Sequence, residues 1–99
     1  MKRDEKDDEL YRRIDEVLHY IWDPIGVADE PYARDEYTEY VPKIFSLVKS
    51  NSGTDLIAQH LVDIVSRDIG LTPNVETCNR VANMLVKHKE KIFREGCWA

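Results

Sequence analysis

Six carboxylates fall within seventeen consecutive positions: Asp23, Asp29, Glu30, Asp35, Glu36 and Glu39. Oxygen donors at that density suit two kinds of chemistry, a hard divalent cation or a basic protein surface. The alternating ligand pattern of an EF-hand, with its central Gly and terminal Glu, is missing from the stretch. Asp23 and Asp35 also stand where helix ends need capping, so a solvated, capping role is the ordinary one for acids of this kind. A partner surface ranks next and a cation site last. Tyr11, Tyr20, Tyr32, Tyr37 and Tyr40 gather around the same segment, and aromatics mixed with acids make a protein-binding surface or a half-buried rim.

The remaining reactive residue types are sparse. His19, His60 and His88 come one to a helix, with none of the short-spaced pairs that zinc requires, and they read as surface or boundary histidines. Cys78 lies in the middle of an apolar helical stripe, as an inert buried thiol would, and Cys97 lies near the end of the sequence. Two cysteines so placed make no disulfide framework and fit a reducing cytosol. Gly-rich phosphate loops and the nucleophile and zincin signatures are all missing, so neither a catalytic residue nor a cofactor is expected.

A formal charge of −5, from 19 acidic and 14 basic residues, opposes nucleic-acid binding. The helices flanking Leu71-Thr72-Pro73 superficially suggest a helix-turn-helix, but Arg80 is the lone cation near a reading position. Lys87, Lys89, Lys91 and Arg94 in the last helix are the nearest approach to a basic cluster. No signal-like segment opens the sequence and no apolar run is long enough to cross a bilayer, which predicts a cytoplasmic protein.

Apolar periodicity then supplies the elements that must position these groups. Residues 1–6 read as a charged tail, 7–95 as one helical domain and 96–99 as a second tail. Leu10, Ile14, Val17, Leu18 and Ile21 repeat at helical offsets, with Asp7 or Asp8 as cap and Arg12, Glu16 and His19 on the far side. Trp22, Asp23, Pro24 and Gly26 form a structural corner, which should send Trp22, Ile25 and Val27 inward. A long loop follows. A second helix is expected from about Asp35, through Tyr37, Tyr40, Val41, Ile44, Phe45 and Val48, kinked at Pro42.

The third helix, capped by Thr54, carries Ile57, Leu61, Ile64 and Val65 and stops at Gly70, where Leu71 should supply the accompanying apolar contact. Thr72 and Pro73 read as cap and first residue of the fourth, with Val75, Cys78, Val81, Ala82, Leu85 and Val86 inward. The fold class is therefore all-α: a compact four-helix domain of two packed helical hairpins, with the long loop between helices 1 and 2.

The runs Ile14-Asp15-Glu16-Val17-Leu18, Trp22-Asp23-Pro24-Ile25-Gly26-Val27 and Asp35-Glu36-Tyr37, with Tyr40, resemble a group of small bacterial all-helical proteins, the YugE-like family. The resemblance covers about Ile14 to Leu85 and is most specific at the Trp-Asp-Pro corner. It implies a four-helix fold in a bacterial cytosol, and the family has no assigned activity to carry over. Pro42 and the Gly96-Cys97-Trp98-Ala99 end have no counterpart in that pattern.

The functional expectation is a non-enzymatic module, of accessory or toxin-immunity type. It would bind a basic protein through Asp29, Glu30, Tyr32, Glu36, Glu39 and Trp98. The alternative is a divalent cation or small ligand at the acidic corner. Homodimerisation through Trp98, or through an apolar strip such as Leu56 and Met84, is a further expectation.

Overall fold

The first helix, α1 (Glu5–Val17), buries Leu10, Ile14 and Val17 on the face that the periodicity predicts. The computed structural model describes residues 5–27, 29–50 and 52–96. Helical backbone is already present at Glu5, inside the expected tail. Asp7 and Asp8 therefore lie within the first turn and favour the helix dipole from there instead of capping it. Asp7 also binds Lys49 Nζ at 2.8 Å.

Beyond Val17 the chain winds into a π-helical turn, Leu18–Trp22, closed by the amide of Asp23 donating to the carbonyl of Leu18 at 3.0 Å. A ring spanning five residues turns each side chain through a smaller angle than the α-helical repeat does. Two expectations fail for this reason. His19, predicted to face outward, is only 2 % exposed, and Ile21, predicted for the core, is 49 % exposed.

Trp22 is buried as expected, and the chain reverses at Asp23, which takes left-handed backbone angles (φ 30°, ψ 64°) that Asp tolerates better than most residues. Ile25 corrects the prediction. Its amide donates to the Tyr37 hydroxyl at 3.0 Å, while its side chain is 41 % exposed.

From Val27 to Tyr40 the loop is a succession of tight turns. Amides of Glu30, Ala33, Glu36, Thr38 and Tyr40 each donate to the carbonyl three residues back, and 3-10 turns form at Pro31–Ala33 and Thr38–Tyr40. These turn bonds satisfy much of the segment's backbone without an α-helix.

The second helix consequently starts later than predicted. α2 (Val41–Lys49) has Pro42 in its first turn, with no kink. In a continuous helix the ring of Pro42 would meet the carbonyl of Thr38, and its nitrogen has no proton to give. That carbonyl instead accepts the amide of Val41. Val41, Ile44 and Val48 are the buried face.

α3 (Thr54–Asp63) begins after Gly53, whose φ of 93° suits glycine; Thr54 is its first residue, and no side chain caps it. It too ends in a π-helical segment, Ile64–Ile69, terminated at Gly70 (φ 81°) as predicted. The amide of Leu71 closes the end on Val65 O at 2.9 Å, although the Leu71 side chain is exposed and makes little of the expected apolar contact. α4 (Val75–Gly96) is capped by Asn74, whose Oδ1 accepts the amide of Thr77 at 3.0 Å. This displaces the Thr72-Pro73 start and leaves Val75 exposed.

Among the described residues there are four α-helices and no strand. α1 packs against α2 and α4, and α3 packs against α2 and α4. The Asp7–Lys49 pair at one end of α1 and the Trp22–Tyr37 ring contact at the other (centroids 5.5 Å apart) make α1 and α2 antiparallel. One core runs through all four, from Leu10 and Ile14 through Ile44, Ile57 and Leu61 to Val81 and Leu85. Each such side chain contributes roughly 1.5–3 kcal/mol on burial.

Because Pro42 sits in the first turn, Pro42→Ala relieves no interior strain and frees the unfolded chain. We expect a loss of about 0.4–1 kcal/mol in urea denaturation, whereas a gain approaching ~3 kcal/mol would show that the ring distorts a helix interior.

Candidate functional site

The loop between α1 and α2 is anchored from below at two points. Asp23 Oδ1 accepts the amides of Gly26 (3.0 Å) and Val27 (2.8 Å) and the hydroxyl of Tyr37 (2.7 Å). Burial, and then the Asp23 carboxylate, push the Tyr37 phenol far above its usual range, so it remains a donor. On the other side, Arg34 reaches Asp15 of α1 with both terminal nitrogens (3.0 and 3.4 Å), and its guanidinium lies 5.3 Å from the centre of the Tyr20 ring. Arg34 is thereby spent on holding the loop down, and its charge is offset locally.

Above these anchors the turns present Asp29, Glu30, Asp35, Glu36 and Glu39 to solvent. Tyr32 stands 96 % exposed among them. A shallow depression of about 520 Å³ lies beside it, lined by Asp15, Tyr32, Arg34, Asp35 and Thr38. Five of the residues expected to bind a partner, Asp29, Glu30, Tyr32, Glu36 and Glu39, thus share one exposed loop. The sixth, Trp98, lies outside the described residues.

Asp23 is not part of that solvated surface. Its Oδ1 is committed to the fold, in keeping with the corner role given to Trp22, Asp23, Pro24 and Gly26. Among the described residues no group of three or more His, Cys, Asp or Glu side chains is arranged to hold a metal ion. Leu56 and Met84 do not behave as one strip: Leu56 is exposed on α3, and Met84 is partly buried against the core on α4.

Cys78 is buried and its thiol pKa is raised by desolvation, which a hydrogen bond from Trp22 only partly offsets. That is the inert thiol expected. His60 and His88 are half-buried. Burial first, then Lys43 beside His60 and Arg13 and Lys91 beside His88, lower their basicity.

His19 is the exception to the boundary reading. Its ring meets Tyr20 edge-on with centroids 4.5 Å apart, and among the described residues its Nδ1 has no hydrogen-bond partner. No feature of the sequence marks the π-helical turn that carries it inward.

A second surface lies on α4, where Arg80, Asn83, Met84, Lys87, His88 and Lys91 line a depression of about 510 Å³. The sequence places Lys87 and Lys91 with Lys89 and Arg94 as the nearest approach to a basic cluster, and does not join Arg80, Met84 and His88 to them. The helical spacing of 80, 84, 87, 88 and 91 is the signal that groups them on one face.

No protein-family model matches the chain, and neither the curated proteins nor the solved structures yield a match. Among the described residues no helix is long and apolar enough to cross a membrane.

The lowered basicity of His60 and His88 sets a sign for stability against pH. Both are depressed from 6.5, so as pH falls below that value the unfolded chain takes up protons first and the fold loses stability. Urea midpoints should fall between about pH 7 and about pH 5.5, and the slope should flatten in the His60→Gln, His88→Gln chain. An unchanged slope would contradict the assignment.

Proposed function

We propose that this chain is a non-enzymatic protein-binding module, of accessory or immunity type, whose acidic loop receives a basic protein partner. The observation that carries the reading is the wholly exposed ring of Tyr32 amid five exposed carboxylates on a loop fastened at Asp23 and Arg34. Exposed ion pairs contribute little each, so the acids supply steering and register. Affinity has to come from burying an aromatic, and Tyr is among the residues enriched in hot spots. The fastened backbone lowers the ordering cost of binding.

No observation favours the cation alternative. The carboxylate best placed to begin such a site, Asp23, already accepts three donors through Oδ1. A bacterial cytosolic setting and kinship with the YugE-like group remain part of the proposal, resting on the corner residues alone.

The test is capture of a host protein on the immobilised chain. Tyr32→Ala should weaken it about 30-fold, the equivalent of ~2 kcal/mol. Reversing Asp29, Glu30 and Glu36 to Lys should abolish it, while Asp55→Lys on α3 should leave it unchanged. Capture indifferent to Tyr32 and to the three acids would overturn the reading.

A further inference from the structure

The α4 depression inverts the charge of the molecule that carries it. The chain holds 19 acidic against 14 basic residues, yet Arg80, Lys87, His88 and Lys91 line one face of a single helix, with Met84 between them. From position 80 to 91 that face is about 16 Å long. Arg13 of α1, itself paired with Glu9 at 2.7 Å, stands close enough for its charge to act on His88, so cations border the face from two helices. Lys87 and Lys91 are exposed and form no ion pair among the described residues. Among the described residues Arg80 is held by Glu76 alone, across an exposed pair that a better partner displaces.

The acids around this face limit what it can bind. Glu16 acts on His88 from α1, and Glu76 and Glu90 lie on α4 itself. A nucleic-acid backbone running beyond the short cationic stretch would meet these carboxylates. A small inorganic anion would have no use for the partly buried thioether at the centre. The fitting occupant is a short acidic surface with one aromatic side chain, because Met sulfur packs well against aromatic rings.

The loop between α1 and α2 has that composition. Asp29, Glu30, Asp35 and Glu36 are exposed around a ring that projects almost entirely into solvent. The two surfaces lie on either side of α1: Asp15 holds the loop through Arg34, whereas Arg13 and Glu16 act on α4 at His88. One copy can offer its loop while its own α4 face receives another.

We propose that the cationic face of α4 is the docking site for the acidic loop of a second copy of this chain, with Tyr32 seated over Met84 and the loop carboxylates against Arg80, Lys87 and Lys91. This rests on the reading of the loop as a protein-binding surface and names its partner. The net charge of −5 on each copy does not prevent the contact. The molecule extends 43 × 30 × 23 Å, several times the screening length of about 8 Å at physiological salt, so opposed charges at the contact outweigh distant like ones.

Charge reversal tests this directly. In sedimentation velocity the wild-type chain should show a weight-average mass that rises with concentration above the 11.6 kDa of one chain, and falls back at ~1 M salt. A loop-reversed chain (Glu30→Lys, Glu36→Lys) and a face-reversed chain (Lys87→Glu, Lys91→Glu), each with wild-type helicity by circular dichroism, should both stay monomeric alone. Mixed in equal amounts they should associate at least tenfold more tightly than either does with itself, because the mixture brings the unaltered acidic loop of one variant to the unaltered cationic face of the other.

A monomeric wild type, or a mixture no tighter than its components, overturns the proposal. A Lys/Arg-rich peptide titrated onto the wild-type chain separates the two readings. If it binds and Tyr32→Ala weakens it while self-association is missing, the loop reading stands and self-docking falls. If it does not bind either, both fall.

Discussion

The Asp23 carboxylate holds together parts of the chain that share no secondary structure. Through Oδ1 it accepts the amides of Gly26 and Val27 and the hydroxyl of Tyr37, and the same hydroxyl accepts the amide of Ile25. One buried phenol and one carboxylate thereby satisfy three backbone donors in a chain reversal that has no regular structure to satisfy them. The ring of Tyr37, buried against Trp22, ties that reversal to the core. Leaving the part-buried amides of Ile25 and Val27 unpaired would cost up to about 1–3 kcal/mol each, a large share of a net stability of order 5–15 kcal/mol.

The position of the exposed loop follows from that constraint. With the corner fixed, the segment from Val27 to Tyr40 has its start set at Asp23 and its end set at the first turn of α2. Arg34 fastens the middle to Asp15. Between these points Tyr37, and in part Val27 and Tyr40, turn toward the core, while Tyr32 and the carboxylates remain outside. The acidic surface is therefore a consequence of how the backbone of the loop is satisfied. Its opposite number on α4 arises separately, from helical spacing in the longest element.

What could be read in the sequence is what repeats. Ile14, Ile44, Leu61 and Leu85 are core residues because their neighbours at three and four positions are apolar too, and the four-helix architecture follows from that regularity. What escaped depends on where a repeat changes. The π-helical turn at Leu18–Trp22 exchanges His19 for Ile21 at the core, and nothing in the residue types announces a five-residue ring. Pro42 admits both a kink and a helix start, and the carbonyl of Thr38 decides between them. The cap of α4 went to Asn74, which competes with Thr72 over two positions. The loop acids were legible because they sit in a non-periodic segment, whereas Asp23, counted with them, belongs to the fold. The α4 face was obscured because charges on a long helix ordinarily mark its solvated side, and Arg13 joins them only in three dimensions.

The corner depends on the pairing of Asp23 with Tyr37. A double-mutant cycle with Asp23→Ala and Tyr37→Phe, read by urea denaturation of the four chains, measures it without assuming what either residue does alone. The structure predicts a coupling of about 1 kcal/mol or more, with both single variants destabilised and the double variant little worse than the worse single. Additive effects, with coupling within about 0.3 kcal/mol of zero, would mean that the corner is held by something else.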